Sequence, residues 1–216
     1  MKIAASKPIS GNTATKSVAF AFFGYAYILY FFLSWFPSYL TTVQHLSIKN
    51  MGIVSAIPWL LGFAGLAGGG FVCDYVFRLT GNALFSRKLV LVTSLLIAAI
   101  CVALAGVVTS VEAAVALMAV SVFFMYLTGS TYWAIILDTV ERARIGGVSG
   151  FVHFIANCAG ILAPMVTGFL VQWTGAFTSA FALAGAIAVL GAAGIAVFVK
   201  PIRKREAVGG ILPQAS

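Results

Sequence analysis

Long apolar runs, broken by a few short polar segments, organise this chain from end to end. Residues 17–48 contain no charged side chain, and neither do 50–73, 89–111, 113–137 or 145–199. About 20 apolar residues carry a helix across the hydrocarbon of a bilayer. Each of the first four runs therefore holds one span. The last holds two, separated at Gln172, Trp173, Thr174 and Gly175, the one polar and turn-prone cluster inside it. The pattern predicts six transmembrane helices, at 18–41, 50–74, 89–109, 113–137, 147–171 and 177–199. It also divides the chain into a polar segment over 1–17, a membrane domain over 18–199 and a polar tail over 200–216.

Composition agrees with the pattern. The chain is 62% hydrophobic and 8% charged, whereas a soluble domain carries about 25% charged residues. Such a chain cannot cover itself with a polar surface, so the expected fold class is an all-α membrane protein.

The positive charges orient it. Lys2, Lys7, Lys16, Arg78, Arg87, Lys88, Arg142, Arg144, Lys200, Arg203, Lys204 and Arg205 fall on one side of the predicted topology, and Lys49 alone on the other. Basic residues mark cytoplasmic loops, so both termini are expected in the cytoplasm, with the chain as a multi-pass protein of a bacterial inner membrane. The net charge of +8 is then an orientation signal. It is not a nucleic-acid patch, because the basic residues sit in separate loops. The first seventeen residues lack a cleavage site after a short apolar core. Cys73, Cys101 and Cys158 show no ligand spacing and read as reduced core cysteines. No cofactor or metal is expected.

Membrane helices associate through small residues. Gly62, Gly65 and Gly69 give the second span a smooth face, and Gly160, Pro164 and Gly168 recur at steps of four on the fifth. Tight packing accounts for the glycines. Pro164 is equally accounted for by a bend that lines a cavity, because a mid-membrane proline frees a backbone carbonyl.

Polar side chains inside spans are costly and face the protein interior. Tyr27, Tyr30 and Ser34 share one face of the first span. Tyr126, Ser130 and Trp133 share one face of the fourth, with Thr131 beside them. His153 and Asn157 are one turn apart on the fifth. For a single tyrosine or serine, a local hydrogen bond is sufficient explanation. Asn157 has an amide with up to four hydrogen-bonding positions to satisfy, so it is the strongest candidate for a ligand contact. Histidine at 153 suits either a helix bridge or proton coupling. No Asp, Glu, Lys or Arg lies deep in a span.

Between the second and third spans the chain reads GGGFVCDYVFRLTGNALFSRK. Gly70, Asp74 and Arg78 are spaced by four, and Asp74 near a helix C-terminus opposes the macrodipole. It is expected to find a partner, such as Arg78 or the N-terminus of a neighbouring helix. This pattern, followed by Arg87 and Lys88, resembles the cytoplasmic loop signature of the major facilitator superfamily. Further segments resemble the second half of an anion:cation symporter of that superfamily: YFFLSWFPSYL (30–40) is similar to span seven, TGSTYWAIILDT (128–139) to span ten, and SGFVHFIANCAGILAPMVTGFL (149–170) to span eleven. Together these cover about residues 18–200.

The resemblance implies spans seven to twelve of a twelve-span carrier, one half of a fold built from 3+3 inverted repeats, with substrate bound between the halves. It implies a small organic anion such as a sugar acid, carried by proton symport. It also implies that the coupling carboxylate and the cationic anchor lie in the other half. Tyr27, Tyr30, Ser130, Thr131, Trp133, His153 and Asn157 would line the cavity. Gly70, Asp74 and Arg78 would form a cytoplasmic gate, with Asp74 meeting a helix of the other half. Ala26 and His153 depart from the residues common in relatives. The implied partners are the bilayer, the anion, and either an N-terminal six-helix half or a second copy of the chain. An inert membrane-inserted remnant is the remaining alternative.

An enzyme is not expected. Gly147, Val148, Ser149 and Gly150 match an intramembrane serine protease motif, but that chemistry needs a histidine on a later helix, and none follows His153. No Asn-Pro-Ala motif supports an aquaporin-type channel.

Overall fold

A computed structural model describes residues 9–199; the tail expected over 200–216 lies outside the described residues. Those residues form helices α1 (Ile9–Thr42), α2 (Ile48–Thr80), α3 (Ala83–Ala105), α4 (Val111–Leu127), α5 (Thr131–Thr139), α6 (Ile145–Thr174) and α7 (Thr178–Phe198), with a short 3-10 turn at Arg142–Arg144. Taken as one span, α4 and α5 bring the number of helices long and apolar enough to cross a membrane to six.

Every helix runs past or short of its predicted limits. The largest difference is in α1, which begins at Ile9 rather than 18, inside the segment expected to be polar. Helix α2 in turn continues from 74 to Thr80 and stops only where Gly81 takes a left-handed conformation at φ 67°. Glycine bears that conformation without a Cβ penalty. Asn82 then opens α3 at once, its side chain accepting the Phe85 N–H at 3.0 Å. The charged stretch is therefore not an extended loop. Asp74 and Arg78 ride on the last turns of α2, and Arg87 and Lys88 on the first turns of α3. A helix of 33 residues is about 50 Å long, longer than the hydrocarbon is thick, so it carries its charges beyond the apolar layer.

The fourth span differs in kind, being broken rather than continuous. The Thr128 N–H turns back to the Met125 carbonyl at 3.0 Å, and its hydroxyl donates to the same oxygen at 2.7 Å. This local competition, followed by the poor helix former Gly129, ends α4 before α5 restarts at Thr131.

The core lies around α1. Tyr27, Phe31, Phe36 and Leu40 of α1 are buried, together with Phe181 of α7 and Tyr132 of α5. Helix α7 meets α1 and α3 through small residues: Ala180, Ala184, Ala188 and Ala192 form a buried ladder at steps of four, and a Cβ on Gly24 would lie 3.1 Å from Ala188 Cα. On the other flank α2 crosses α4 at Gly62, Gly65 and Gly69, where the approach is closer still. A Cβ on Gly65 would strike the Phe123 carbonyl, and one on Gly69 the Leu127 carbonyl beside the break. Helices α2 and α6 are the least buried spans, and their free sides expose Phe63, Phe71, Phe154, Ile161 and Phe169.

Candidate functional site

The polar face of α6 is built against α1, and glycines make it possible. Gly160 leaves room for the Tyr30 ring, whose Cζ would stand 3.0 Å from a Cβ there, and Gly168 does the same for Trp35. Seated this way, the Tyr30 hydroxyl donates to Asn157 Oδ1 at 2.9 Å. One amide N–H of Asn157 goes to the His153 carbonyl at 2.8 Å. A backbone carbonyl only accepts, so this second bond fixes which end of the amide faces Tyr30. The Trp35 indole N–H reaches the Pro164 carbonyl at 3.0 Å.

One turn towards the N-terminus of α6, His153 lies exposed beside two aromatic rings. Its centroid is 5.7 Å from Trp133 of α5 and 6.1 Å from Phe22 of α1. Ser130 is exposed at the break in the fourth span and makes no capping hydrogen bond. Tyr30, Trp133, His153 and Asn157 thus gather where α1, α5 and α6 meet, and Ser130 is exposed one turn before Trp133.

Two expected lining residues are buried instead. Tyr27 is 2% exposed, and its hydroxyl points into the α1–α6 contact near Thr167 without a partner of hydrogen-bonding geometry. Thr131 is equally buried, its hydroxyl 3.7 Å from Cys73 Sγ of α2. The reason is angular. The α1 face shared by Tyr27 and Tyr30 turns from core to surface between those positions, and the break after Leu127 rotates Thr131 inward.

At the other charged locus, Gly70 has no atom of another helix within 4 Å of where its Cβ would be. Asp74 and Arg78 are both exposed, and no ion pair joins them among the described residues. The expectation that Arg78 answers Asp74 is not met. The ion pair present is Arg87 with Asp138, half-buried between the start of α3 and the end of α5, and Arg87 also donates to the Ala134 carbonyl at 3.3 Å. Beside it Lys88 donates to the Val199 carbonyl at 3.0 Å, closing the C-terminus of α7 with a cation as the helix dipole favours. In the sequence, Arg87 and Lys88 read as orientation charges and as the basic pair of the loop signature, with no partner assigned to either. The signal available was topological, since the start of the third span and the end of the fourth meet on the same side.

A crevice of about 480 Å³ between α2 and α4 is apolar apart from Asn50 and Glu112. It lies away from the Tyr30–Asn157 pair and brings no convergent polar groups together.

Comparison with known proteins bears on what this arrangement serves. The profile of the Major Facilitator Superfamily matches residues 76–212. A hexuronate transporter of Bacillus subtilis (strain 168) is 54% identical over 186 residues, 85% of this chain and 44% of that protein. A probable galactarate/D-glucarate transporter of Escherichia coli (strain K12) is 32% identical over 200 residues, 93% of this chain and 45% of that protein. A probable sulfoacetate transporter of Cupriavidus necator is 30% identical over 185 residues, covering 86% and 43%. The chain spans less than half the length of each of these relatives. With six membrane-capable helices and a matching profile over most of its length, the chain belongs to the Major Facilitator Superfamily.

Proposed function

We propose that this chain is the C-terminal six-helix half of a carrier for small organic anions, with hexuronates as the leading substrate class. The observation that carries the reading is the 54% identity to a hexuronate transporter over 85% of the chain. The open faces of α2 and α6 support a partner half: Phe63, Phe71, Phe154 and Phe169 stand exposed there, together with the uncovered Gly70. Both termini lie in the cytoplasm of a bacterial cell in this reading, and the polar segment and tail flank the membrane domain on that side.

Transport proceeds by rocking of one half against the other about a midplane site. Tyr30, Ser130, Trp133, His153 and Asn157 face the substrate, while Tyr27 and Thr131 support that surface from behind. Gly70, Asp74 and Arg78 close the cytoplasmic side against the other half, where Asp74 gains the partner it lacks among the described residues. No acidic or basic side chain sits deep in the spans of this chain, so the proton-coupling carboxylate and the cation that holds the substrate carboxylate belong to the partner half.

The test is uptake of radiolabelled D-galacturonate by cells carrying the gene at its native locus. Deleting the gene is expected to reduce uptake, a protonophore to abolish it, and Asn157→Ala to abolish it while the chain still fractionates with membranes. Uptake unaffected by deletion would leave the chain as an inert remnant. Full uptake in Asn157→Ala would remove that residue from the site.

A further inference from the structure

We infer that the backbone carbonyl of Gly160 is a substrate contact, an acceptor that reads one hydroxyl of the polyhydroxylated anion; this rests on the carrier reading above. In a regular helix the Gly160 carbonyl would accept from the N–H of residue 164. That residue is Pro164, which has no N–H. Among the described residues no side chain donates to the Gly160 carbonyl in its place: the nearby indole of Trp35 is spent on the Pro164 carbonyl, and the Tyr30 hydroxyl on Asn157. A carbonyl that loses its regular helix donor inside the membrane is tolerated where a cavity or neighbour answers it. Gly160 is neither buried nor remote from the site. It is partly open, it lies on the same helix face as Asn157, and the Tyr30 ring rests against it.

Counting donors and acceptors says what this patch can bind. The Asn157 amide has two N–H groups and two oxygen lone pairs. Tyr30 takes one lone pair and the His153 carbonyl takes one N–H. One N–H is left, against acceptors on Asn157 Oδ1, the Tyr30 oxygen and the Gly160 carbonyl. A carboxylate only accepts and finds one donor here. A hydroxyl both donates and accepts, and a row of hydroxyls satisfies the whole set. The patch therefore selects the hydroxyl end of a sugar acid and turns the carboxylate away from the Asn157–Gly160 stretch of α6.

Restoring the missing N–H tests this. Pro164→Ala supplies a donor that closes the helix bond to Gly160 and withdraws the acceptor. Kinetics of uptake are measured for D-galacturonate and for its monodeoxy analogues, in cells carrying the wild-type or variant gene at its native locus. The wild type is expected to prefer the parent sugar over one particular deoxy analogue on the order of tenfold in kcat/KM. In Pro164→Ala that one preference falls to about onefold to threefold, while preferences at the other positions hold. Pro164→Gly restores the same N–H with the opposite helix propensity and is expected to lose the same preference, which separates the N–H from packing. Equal deoxy preferences in wild type and variants would overturn the role of Gly160, as would an even loss at every position. Wild-type cells that take up no parent sugar would overturn the carrier reading, and this inference with it.

Discussion

His45 holds the one positive φ found at a non-glycine residue among those described, 53°, in the turn that joins α1 to α2. An L-residue in that region costs about 1–2 kcal/mol. The His45 side chain is exposed, so nothing in the packing requires it there. His45→Gly is expected to stabilise the chain by about 0.5 kcal/mol after the added freedom of the unfolded chain is deducted, seen as a higher melting temperature in detergent; a lower one would mean that the imidazole has a role in the turn. The strain was not visible in the sequence, because VQHLS carries no glycine or proline to announce it. Asn157 was visible, since a lone amide in an apolar run stands out by its unmet hydrogen bonds. Pro164 announced a freed acceptor at Gly160, and the Tyr30 ring seated against Gly160 adds a neighbour that spacing along the chain does not give. Tyr27 and Thr131 are buried where exposure was expected, because ideal helical spacing does not show where a face turns into the core or where a break such as that after Leu127 rotates the residues that follow.

The helix pair α2 and α4 shows what the glycine periodicity encodes. Gly65 and Gly69 press against carbonyls of α4, with no space for a Cβ, while Gly70 on the neighbouring stripe of the same helix has open space. Gly65→Ala must push α2 off the Phe123 carbonyl, a backbone atom that cannot swing away, at a cost of about 1–3 kcal/mol. Gly70→Ala should be neutral or mildly stabilising for the chain measured alone, through helix propensity. Thermal unfolding of the two variants separates the stripes; equal losses would show that Gly70 is also packed within the chain. The number of spans was legible because charge-free length sets it, with the polar cluster at 172–175 dividing the longest run. Their ends were less so, since a helix can run on into the polar layer until a glycine such as Gly81 stops it. The break at Thr128 was missed because threonine and serine inside a span read equally well as cavity-facing hydroxyls.

Burial across the six spans is uneven, and the carrier reading proposed above gives that unevenness a reason. Helices α1, α3 and α7 bury small and aromatic residues against one another, whereas α2 and α6 keep large apolar side chains on their free sides. Lipid could cover those sides, but it would not explain why Gly70 is open, why Asp74 has no partner among the described residues at a helix end of opposing dipole, or why Asn157 is presented outward. A second six-helix half explains all three, and it separates the two arrangements that resemblance leaves open. If the partner is an N-terminal half, the cation needed for the substrate carboxylate is supplied by it, and the chain alone binds sugar acids weakly or not at all. If the partner is a second copy, no such cation appears, because neither copy has a basic residue deep in a span. The expected outcome is therefore that the chain purified alone shows no detectable binding of D-galacturonate by calorimetry, and that it co-purifies with, and gains binding from, a six-span partner carrying an intramembrane arginine or lysine. A homodimer that binds the sugar acid at micromolar concentration would contradict the two-half arrangement and require the anion to be held by hydrogen bonds from Asn157, Ser130 and His153 alone.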